Sequence, residues 1–237
     1  MKTDAPTFLS QLDAAVSKYA MLSHPFYQLW NEGKLTQEIL ANYAQQYFAQ
    51  VKAFPTYVSA VHSHCPDLQV RQLLLENLME EELGQNNHPE LWMRFAEGLG
   101  VSREQVLGAD LLPHTVESVA QLSQLAQSHN YLAGLAALYA YESQIPEVAT
   151  AKRQGLRDFY GITDDRTVSF FTVHEKADVA HRQVERDVLS AACTTAEQQA
   201  EVLAAAEAGA KALWHFLDGV HGAYVATNES KDLAMAA

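Results

Sequence analysis

The chain has 237 residues, enough for one domain with a substantial core, and no interior linker divides it. With 16 Lys and Arg against 29 Asp and Glu, its formal net charge of −13 repels phosphate backbones, which excludes nucleic acid as an expected partner. The sequence shows neither a signal-peptide core nor a run of about 18 apolar residues, which favours a cytoplasmic protein that does not contact membranes.

Helical periodicity extends over nearly the whole chain. Ala, Leu, Glu and Gln dominate, glycine and proline are scarce at 11 and 7 residues, and no alternating pattern is joined by hairpin turns. We therefore predict an all-α fold, with one helical bundle over residues 1–225 and a disordered C-terminal tail at 226–237.

The predicted helices are separated by capping residues, glycines and prolines. In chain order they cover residues 8–19, a short helix from 24, 36–65, 67–83, 89–100, a short helix from 102, 112–128, 130–145, 147–159, the helix that includes 174–181, and 195–224. Pro55 is expected to kink its helix and Pro146 to stop or kink the one before it, because proline removes a backbone hydrogen bond.

The segment 174–181 places three potential metal ligands on one helix face. His174, Asp178 and His181 are four and three residues apart. Imidazole and carboxylate suit iron, manganese or zinc and leave positions open for oxygen or substrate. A local hydrogen bond between His and Asp on an acidic helix is the competing interpretation, so the choice depends on ligands from other segments.

Glu142 is the strongest companion to this triplet. It lies in the apolar segment 130–145, which has the composition of a helix buried on almost every side. A carboxylate there is costly unless it is paired or bound to a cation. A buried salt bridge to one of the 16 basic residues is the alternative interpretation.

Glu81 and His88 are seven residues apart and would share a face on one unbroken helix. Gly84 and the asparagines at 86–87 predict a helix break between them. Within 80–82, the neighbouring glutamates compete for the inward position, and such a run is often a solvated helix end. The sequence around His88 also fits a helix N-cap.

Together these segments provide three carboxylates and three imidazoles, which matches a carboxylate-bridged two-metal site inside a helical bundle. The candidate ligands are Glu81, His88, Glu142, His174, Asp178 and His181. The pattern is not the ferritin-like one, which repeats Glu-x-x-His on two helices. Two metal ions allow oxygen to bridge them and to accept more than one electron, which points to oxidative chemistry.

The order Glu81-x6-His88, Glu142, His174-x3-Asp178-x2-His181 resembles that of the CADD-like para-aminobenzoate synthases, named after the Chlamydia protein associating with death domains. These belong to the haem-oxygenase-like di-metal oxidases and are related in fold to thiaminase II and the pyrroloquinoline quinone biosynthesis oxidase. The resemblance spans residues 6–225. It also includes His24-Pro25-Phe26-Tyr27, Tyr43, the pair Tyr141-Glu142, and Lys152 after Pro146.

The resemblance implies a haem-oxygenase-like bundle, a homodimer, and an enzyme that makes para-aminobenzoate for folate biosynthesis from its own side chains. Tyr27 would supply the ring and the carboxylate, and Lys152 the amino nitrogen. Tyr141 would act as a radical relay, with Tyr43 as a secondary candidate. The implied cofactors are two metal ions, Fe/Fe or Mn/Fe, with O2 and an external reductant as co-substrates.

The residue pattern alone leaves simpler interpretations open. Tyr27 fits an ordinary amphipathic core position. Lys152 lies near Arg153 and Arg157, and such a basic helix face is normally solvated. Only burial near the metals would lower the pKa of Lys152 and make a neutral, nucleophilic amine available.

Three other functions remain as alternatives. One is a di-metal oxygenase of the same fold that turns over an exogenous amine or acid. Another is a metal-free enzyme like thiaminase II, which is disfavoured because its catalytic cysteine has no convincing counterpart. The last is a non-enzymatic interaction protein, for which six buried metal-type ligands would serve no purpose.

Overall fold

The computed structural model describes residues 3–226, apart from the side chains of residues 176, 177, 179 and 180. This part of the chain is helical and contains no strand, which confirms the predicted all-α class. From residue 227 onward, the predicted tail lies outside the described residues. None of the described helices combines the length and the apolar character needed to cross a membrane.

The helices follow the predicted order. They are α1 (Ala5–Ser17), α2 (Pro25–Asn31), α3 (Gln37–His64), α4 (Leu68–Glu82), α5 (His88–Gly98), α6 (Arg103–Leu107), α7 (Pro113–Ala126), α8 (Tyr131–Glu142), α9 (Ile145–Tyr160), α10 (Asp165–Ala192) and α11 (Ala196–Val220). A 3-10 turn at Met21–Ser23 precedes α2, and a π-helical turn at His221–Ala226 follows α11.

Local side-chain caps fix several helix starts. Thr36 caps α3, and complete capping boxes at Ser102 and Thr195 open α6 and α11, as the sequence predicts. Asn87 caps α5, so His88 is the first residue of that helix and not its cap. The imidazole of His88 is therefore not occupied in capping.

The two prolines inside the predicted helices behave differently. Pro55 lies within α3, which continues to His64. Pro146 occupies the first turn of α9, where its missing amide hydrogen has no intrahelical acceptor to lose. The segment predicted as one helix at 130–145 consequently ends at Glu142, and a short turn separates α8 from α9.

Helix α8 lies at the centre of the bundle and packs against α3, α7, α10 and α11. Close approach to α11 depends on Gly209, where a Cβ atom would stand 3.2 Å from the Cβ of Ala140. All residues of α8 from Gly134 to Glu142 are buried. The last of them, Glu142, is thereby held in the interior between α4 and α10.

Candidate metal centre

The ligand face of α10 is buried as the sequence predicts. His174 and Asp178 are 6% and 2% exposed, and His181 lies one turn further along the helix. The Nδ1 atom of His174 donates to the carbonyl oxygen of Phe170 at 2.7 Å. This bond fixes the imidazole tautomer and leaves Nε2 available as a ligand.

A first group of ligands combines the end of α4, the start of α5 and α10. The ligand atoms of Glu81, His88 and His174 all lie within 4.8 Å of one another. Nδ1 of His88 is 2.7 Å from Oε1 of Glu81. The helix break between α4 and α5 therefore does not separate this pair, and the convergence that spacing left open is present.

A second group joins the end of α8 to α10. The ligand atoms of Glu142, Asp178 and His181 also lie within 4.8 Å of one another. Nδ1 of His181 is 3.2 Å from Oε1 of Glu142 and 3.6 Å from Oδ1 of Asp178. Asn77 on α4 donates its side-chain amide to Oε1 of Glu142 at 2.9 Å.

The donor set fits two divalent cations. Oε2 of Glu142 and Oδ2 of Asp178 are buried and have no hydrogen-bond partner among the described residues. The polar partners of Glu142 are Asn77 and His181, and no described Lys or Arg forms an ion pair with it. The alternative of a salt bridge to a basic residue is therefore wrong, and buried anionic oxygens are left for cations to satisfy.

Burial dominates the protonation equilibria of the metal-free centre. It raises the pKa of Asp178 to about 7 and also raises the pKa of Glu81, although contact with His88 opposes the latter shift. Burial alone would lower the pKa of His181, but hydrogen bonds to Asp178 and Glu142 outweigh it and raise that pKa to about 10. A bound cation would displace these protons.

A small cavity of about 20 Å³, enough for roughly one water-sized molecule, adjoins both groups. Its polar walls come from the ligands, and its apolar walls from α3, α9 and α10. The lining residues are Tyr47, Val51, Phe54, Glu81, His88, Tyr141, Glu142, Ile145, Phe170, His174 and Asp178. A small molecule in this cavity would meet both ligand groups.

Four buried tyrosines connect this cavity to the region of α2. The hydroxyl of Tyr141 donates to that of Tyr47 at 2.9 Å, and both residues line the cavity. The rings of Tyr47 and Tyr43 have centroids 5.4 Å apart. The hydroxyls of Tyr43 and Tyr27 are hydrogen-bonded at 2.9 Å. Burial raises the pKa of all four phenols, so they are neutral at physiological pH.

Lys152 is buried against these tyrosines and is only 3% exposed. Its Nζ lies 2.5 Å from the hydroxyl of Tyr43 and 5.1 Å from the ring centroid of Tyr27. Burial lowers the pKa of Lys152 well below its usual range. The interpretation as a solvated basic face holds for Arg153 and Arg157, which are exposed, but is wrong for Lys152.

The candidate residues thus form two layers. Tyr141 and every ligand except His181 line the cavity, whereas Tyr27, Tyr43 and Lys152 are not among its lining residues. Tyr47 bridges the layers, although the sequence analysis assigned it no role. Its spacing of four residues from Tyr43 on α3 could have revealed it.

Two further polar residues near the second group also escaped the sequence analysis. Asn77 lies four residues before Glu81, and Glu185 lies four residues after His181. Glu185 is buried, and burial raises its pKa well above the usual range. The same helical spacing that identified the triplet on α10 could have extended it to Glu185.

The fold and the family are both established by comparison with known proteins. A family model described as iron-containing redox enzyme matches residues 41–214. A solved domain with a haem oxygenase-like fold from Shewanella denitrificans superposes with a TM-score of 0.78, at 20% identity over 94% of each chain. A CADD-like protein of unknown function from Nostoc punctiforme superposes with a TM-score of 0.78, at 19% identity over 93% of this chain and 98% of the other. The chain therefore belongs to the iron-containing redox enzymes with a haem-oxygenase-like fold.

Within that class the chain has a much nearer relative. It is 45% identical over 229 residues to a protein of Nitrosomonas europaea named 4-aminobenzoate synthase, and the match covers 93% of each chain. The predicted resemblance to the CADD-like para-aminobenzoate synthases is thereby confirmed.

Proposed function

We propose that this chain forms 4-aminobenzoate from its own Tyr27, with Lys152 as the amine donor, at a pair of metal ions held by the six ligands. The observation that carries the proposal is the buried neutral amine of Lys152, 2.5 Å from the Tyr43 hydroxyl that is itself hydrogen-bonded to Tyr27. The name of the Nitrosomonas relative supports 4-aminobenzoate as the product.

The carbon and nitrogen atoms of the product are all available in these two side chains, and dioxygen supplies the carboxylate oxygens. Cβ and the ring carbons of a tyrosine equal the carbon skeleton of 4-aminobenzoate. The Cα–Cβ bond of Tyr27 breaks and Cβ is oxidised to the carboxylate. The bond from Cζ to the phenol oxygen is replaced by a bond to nitrogen and that oxygen leaves as water, while the Nζ–Cε bond of Lys152 is cleaved oxidatively and leaves Cε as an aldehyde. Dioxygen is reduced in the process, and an external reductant completes the electron balance.

The ligand groups and the tyrosines have separate tasks in this proposal. When bound, two redox-active ions supply the chemistry of dioxygen reduction. The oxidation has to reach Tyr27, which does not line the cavity. An electron from Tyr27 passes through Tyr43 and Tyr47 to Tyr141 at the cavity wall. The hydrogen bond between Tyr27 and Tyr43 provides the path for the phenol proton, and the amine of Lys152, which donates to the Tyr43 hydroxyl, keeps the lone pair needed for bonding to the ring.

Two substitutions distinguish the residues that bind metal from the tyrosine that is consumed. Glu142→Ala is expected to abolish both metal loading and product, because it removes a buried ligand of the second group. Tyr27→Phe is expected to retain the metals and to lose most of the product. Metal content and 4-aminobenzoate are measured on both proteins, with Tyr131→Phe, half-buried at the start of α8, as the matched control. A Tyr27→Phe protein that forms a normal amount of 4-aminobenzoate would contradict the assignment of Tyr27 as the sacrificed residue.

A second candidate function is turnover of an exogenous amine or acid at the same two ligand groups, for which the cavity of about 20 Å³ beside them would have to widen. The two functions differ in stoichiometry. Self-sacrifice yields at most about one product per chain and a permanent change at Tyr27. Turnover of an external substrate yields many products from a chain whose mass does not change.

A further inference from the structure

Glu185 is a buried carboxylate without a described role. It is 4% exposed, and neither of its carboxylate oxygens has a hydrogen-bond partner among the described residues. It lies four residues beyond His181 and seven beyond Asp178 on α10, so all three share one face of the helix. An unpaired carboxylate in this position calls for a cation.

No described lysine or arginine lines the surroundings of Glu185, and the nearest basic group, His181, is hydrogen-bonded to Glu142. A second small cavity, of about 30 Å³, is lined by Glu185 with Asn77, His181 and apolar side chains of α4, α8 and α10. The strongest charged neighbours of Glu185 are Glu142 and Asp178, which are acids as well. Ionised, the adjoining carboxylates of Glu185 and Glu142 can both only accept hydrogen bonds.

The charge balance of the metal centre also favours Glu185 as a ligand. Two divalent cations bring four positive charges, whereas Glu81, Glu142 and Asp178 supply three negative ones. Imidazole ligands are neutral. An ionised Glu185 adds the fourth negative charge, and a buried centre with no net charge avoids a large desolvation penalty.

The two ligand groups also differ in donor type. The first has two imidazoles and one carboxylate, the set found in non-haem iron oxygenases. The second has two carboxylates and one imidazole, and carboxylate oxygens suit harder ions such as Mn²⁺. A further carboxylate would make the second group harder still and the two positions chemically distinct.

We propose that Glu185 is an additional ligand for the cation held by Glu142, Asp178 and His181. This inference rests on the metal pair of the proposed function. The side chain has to rotate toward the cation, because Glu185 does not belong to the cluster whose ligand atoms lie within 4.8 Å of one another. Loss of this ligand weakens the second position and leaves the first one intact.

The test compares the wild-type protein, Glu185→Gln and Asp187→Asn. Asp187 is an exposed acid two residues away on the same helix, so its variant removes one charge without touching the centre. Metal-free protein is titrated with Mn²⁺ alone, and free Mn²⁺ is followed by electron paramagnetic resonance. The wild type and Asp187→Asn are expected to bind two ions. Glu185→Gln is expected to bind the first ion normally and the second about 10- to 100-fold more weakly.

Thermal unfolding without metal separates weak binding from a damaged fold. Glu185→Gln is expected to melt no lower than the wild type, because burial and the neighbouring acids raise the pKa of Glu185 well above its usual range, so that the glutamine replaces a neutral carboxylic acid of nearly the same shape. A lower melting temperature without metal would overturn the inference, as would normal binding of both ions by Glu185→Gln. A wild-type protein that binds fewer than two ions would instead contradict the metal pair itself, and the role of Glu185 with it.

Discussion

The Lys152 amine is surrounded by rings and not by carboxylates. Nζ lies 4.6 Å from the ring centroid of Tyr47 and 4.9 Å from that of Tyr43, and its hydrogen bond goes to a neutral phenol. No described acid forms an ion pair with it, so burial is the dominant influence on its pKa. The result is an uncharged amine held beside the ring of Tyr27, which would be consumed in the proposed function.

The stability of the protein should reveal this neutral lysine. Lys152→Met is expected to raise the melting temperature at pH 7, because it removes a buried group that the unfolded chain protonates. The pKa of Lys152 is lowered in the folded state from 10.5, so between the two values the unfolded chain binds the extra proton. Wild-type stability therefore rises with pH, and its deficit relative to Lys152→Met shrinks.

Thermal melts from pH 7 to pH 10 check this expectation, with the exposed Lys211→Met as the control. If Lys152→Met melts below the wild type at pH 7, Lys152 in the wild type is charged and paired, which would contradict the expectation. Burial raises the pKa of Tyr27 and Tyr43 above that of the unfolded chain, so these phenols lower the stability of both proteins as the pH approaches 10, and this shared loss cancels in the comparison.

Tyr47 provides a second prediction for a single residue. Tyr47→Phe removes the hydroxyl that accepts from Tyr141 and breaks the path between the cavity and Tyr43. The rate of product formation is expected to fall at least about tenfold, the effect of one lost hydrogen bond of about 1.4 kcal/mol. Metal content should not change. Tyr57→Phe, on the same helix but outside the path, is the control, and equal rates for the two variants would contradict the relay.

At the level of helices, the sequence predicts order and ends well because these depend on local chemistry. The capping boxes at Ser102 and Thr195 and the proline in the first turn of α9 each act within a few residues. The ligand triplet on α10 was also predictable, since helical spacing alone aligns its members.

Features that depend on packing between distant segments could not be predicted in this way. Whether Glu81 meets His88 depends on how the chain turns between α4 and α5. The burial of Lys152 depends on the position of α9 against α2 and α3, and a basic neighbourhood gives the opposite indication. Glu185 could have been predicted, because its spacing of four residues from His181 places it on the ligand face of α10.

The contact between α9 and α2 is tight at Gly155. A Cβ atom there would lie 2.7 Å from Cδ1 of Trp30, whose Nε1 donates to the carbonyl oxygen of Lys152 at 3.2 Å. Gly155→Ala is therefore expected to destabilise the protein by about 1–3 kcal/mol through overpacking. Chemical denaturation measures the effect, with Gln154→Ala on the exposed side of α9 as the control. Equal stability of the two variants would show that the side chain of Trp30 can move away from residue 155 without loss of folding free energy.

For the molecule as a whole, metal loading couples folding to the centre. Cations that bind only the folded state raise the melting temperature, and the stabilisation grows with the logarithm of the ratio of their concentration to their Kd. The wild type is expected to show this shift with Mn²⁺ or Fe²⁺ under anaerobic conditions and to lose it with a chelator. Glu142→Ala is expected to show almost none. A full shift in that variant would mean that the ions bind elsewhere.

In the proposed function one chain holds both reactant and catalyst, and the haem-oxygenase-like bundle brings the two together. Ligands from α4, α5, α8 and α10 converge on one side of α3, and Tyr27 and Lys152 lie beyond the tyrosines of that helix. Dimerisation and cytoplasmic location stay predictions. One fold supports several activities. Function therefore depends on the residues of the site.

Isotopic labelling tests the central claim most directly. Protein is prepared with ring- and Cβ-labelled carbon-13 tyrosine and with nitrogen-15 at Nζ of lysine, loaded with metal, and exposed to oxygen and reductant without any labelled small molecule. The account predicts 4-aminobenzoate that carries both labels, at no more than about one molecule per chain, with peptide masses changed at Tyr27 and Lys152. Unlabelled product from a chain of unchanged mass would contradict it and would identify an enzyme with an external substrate.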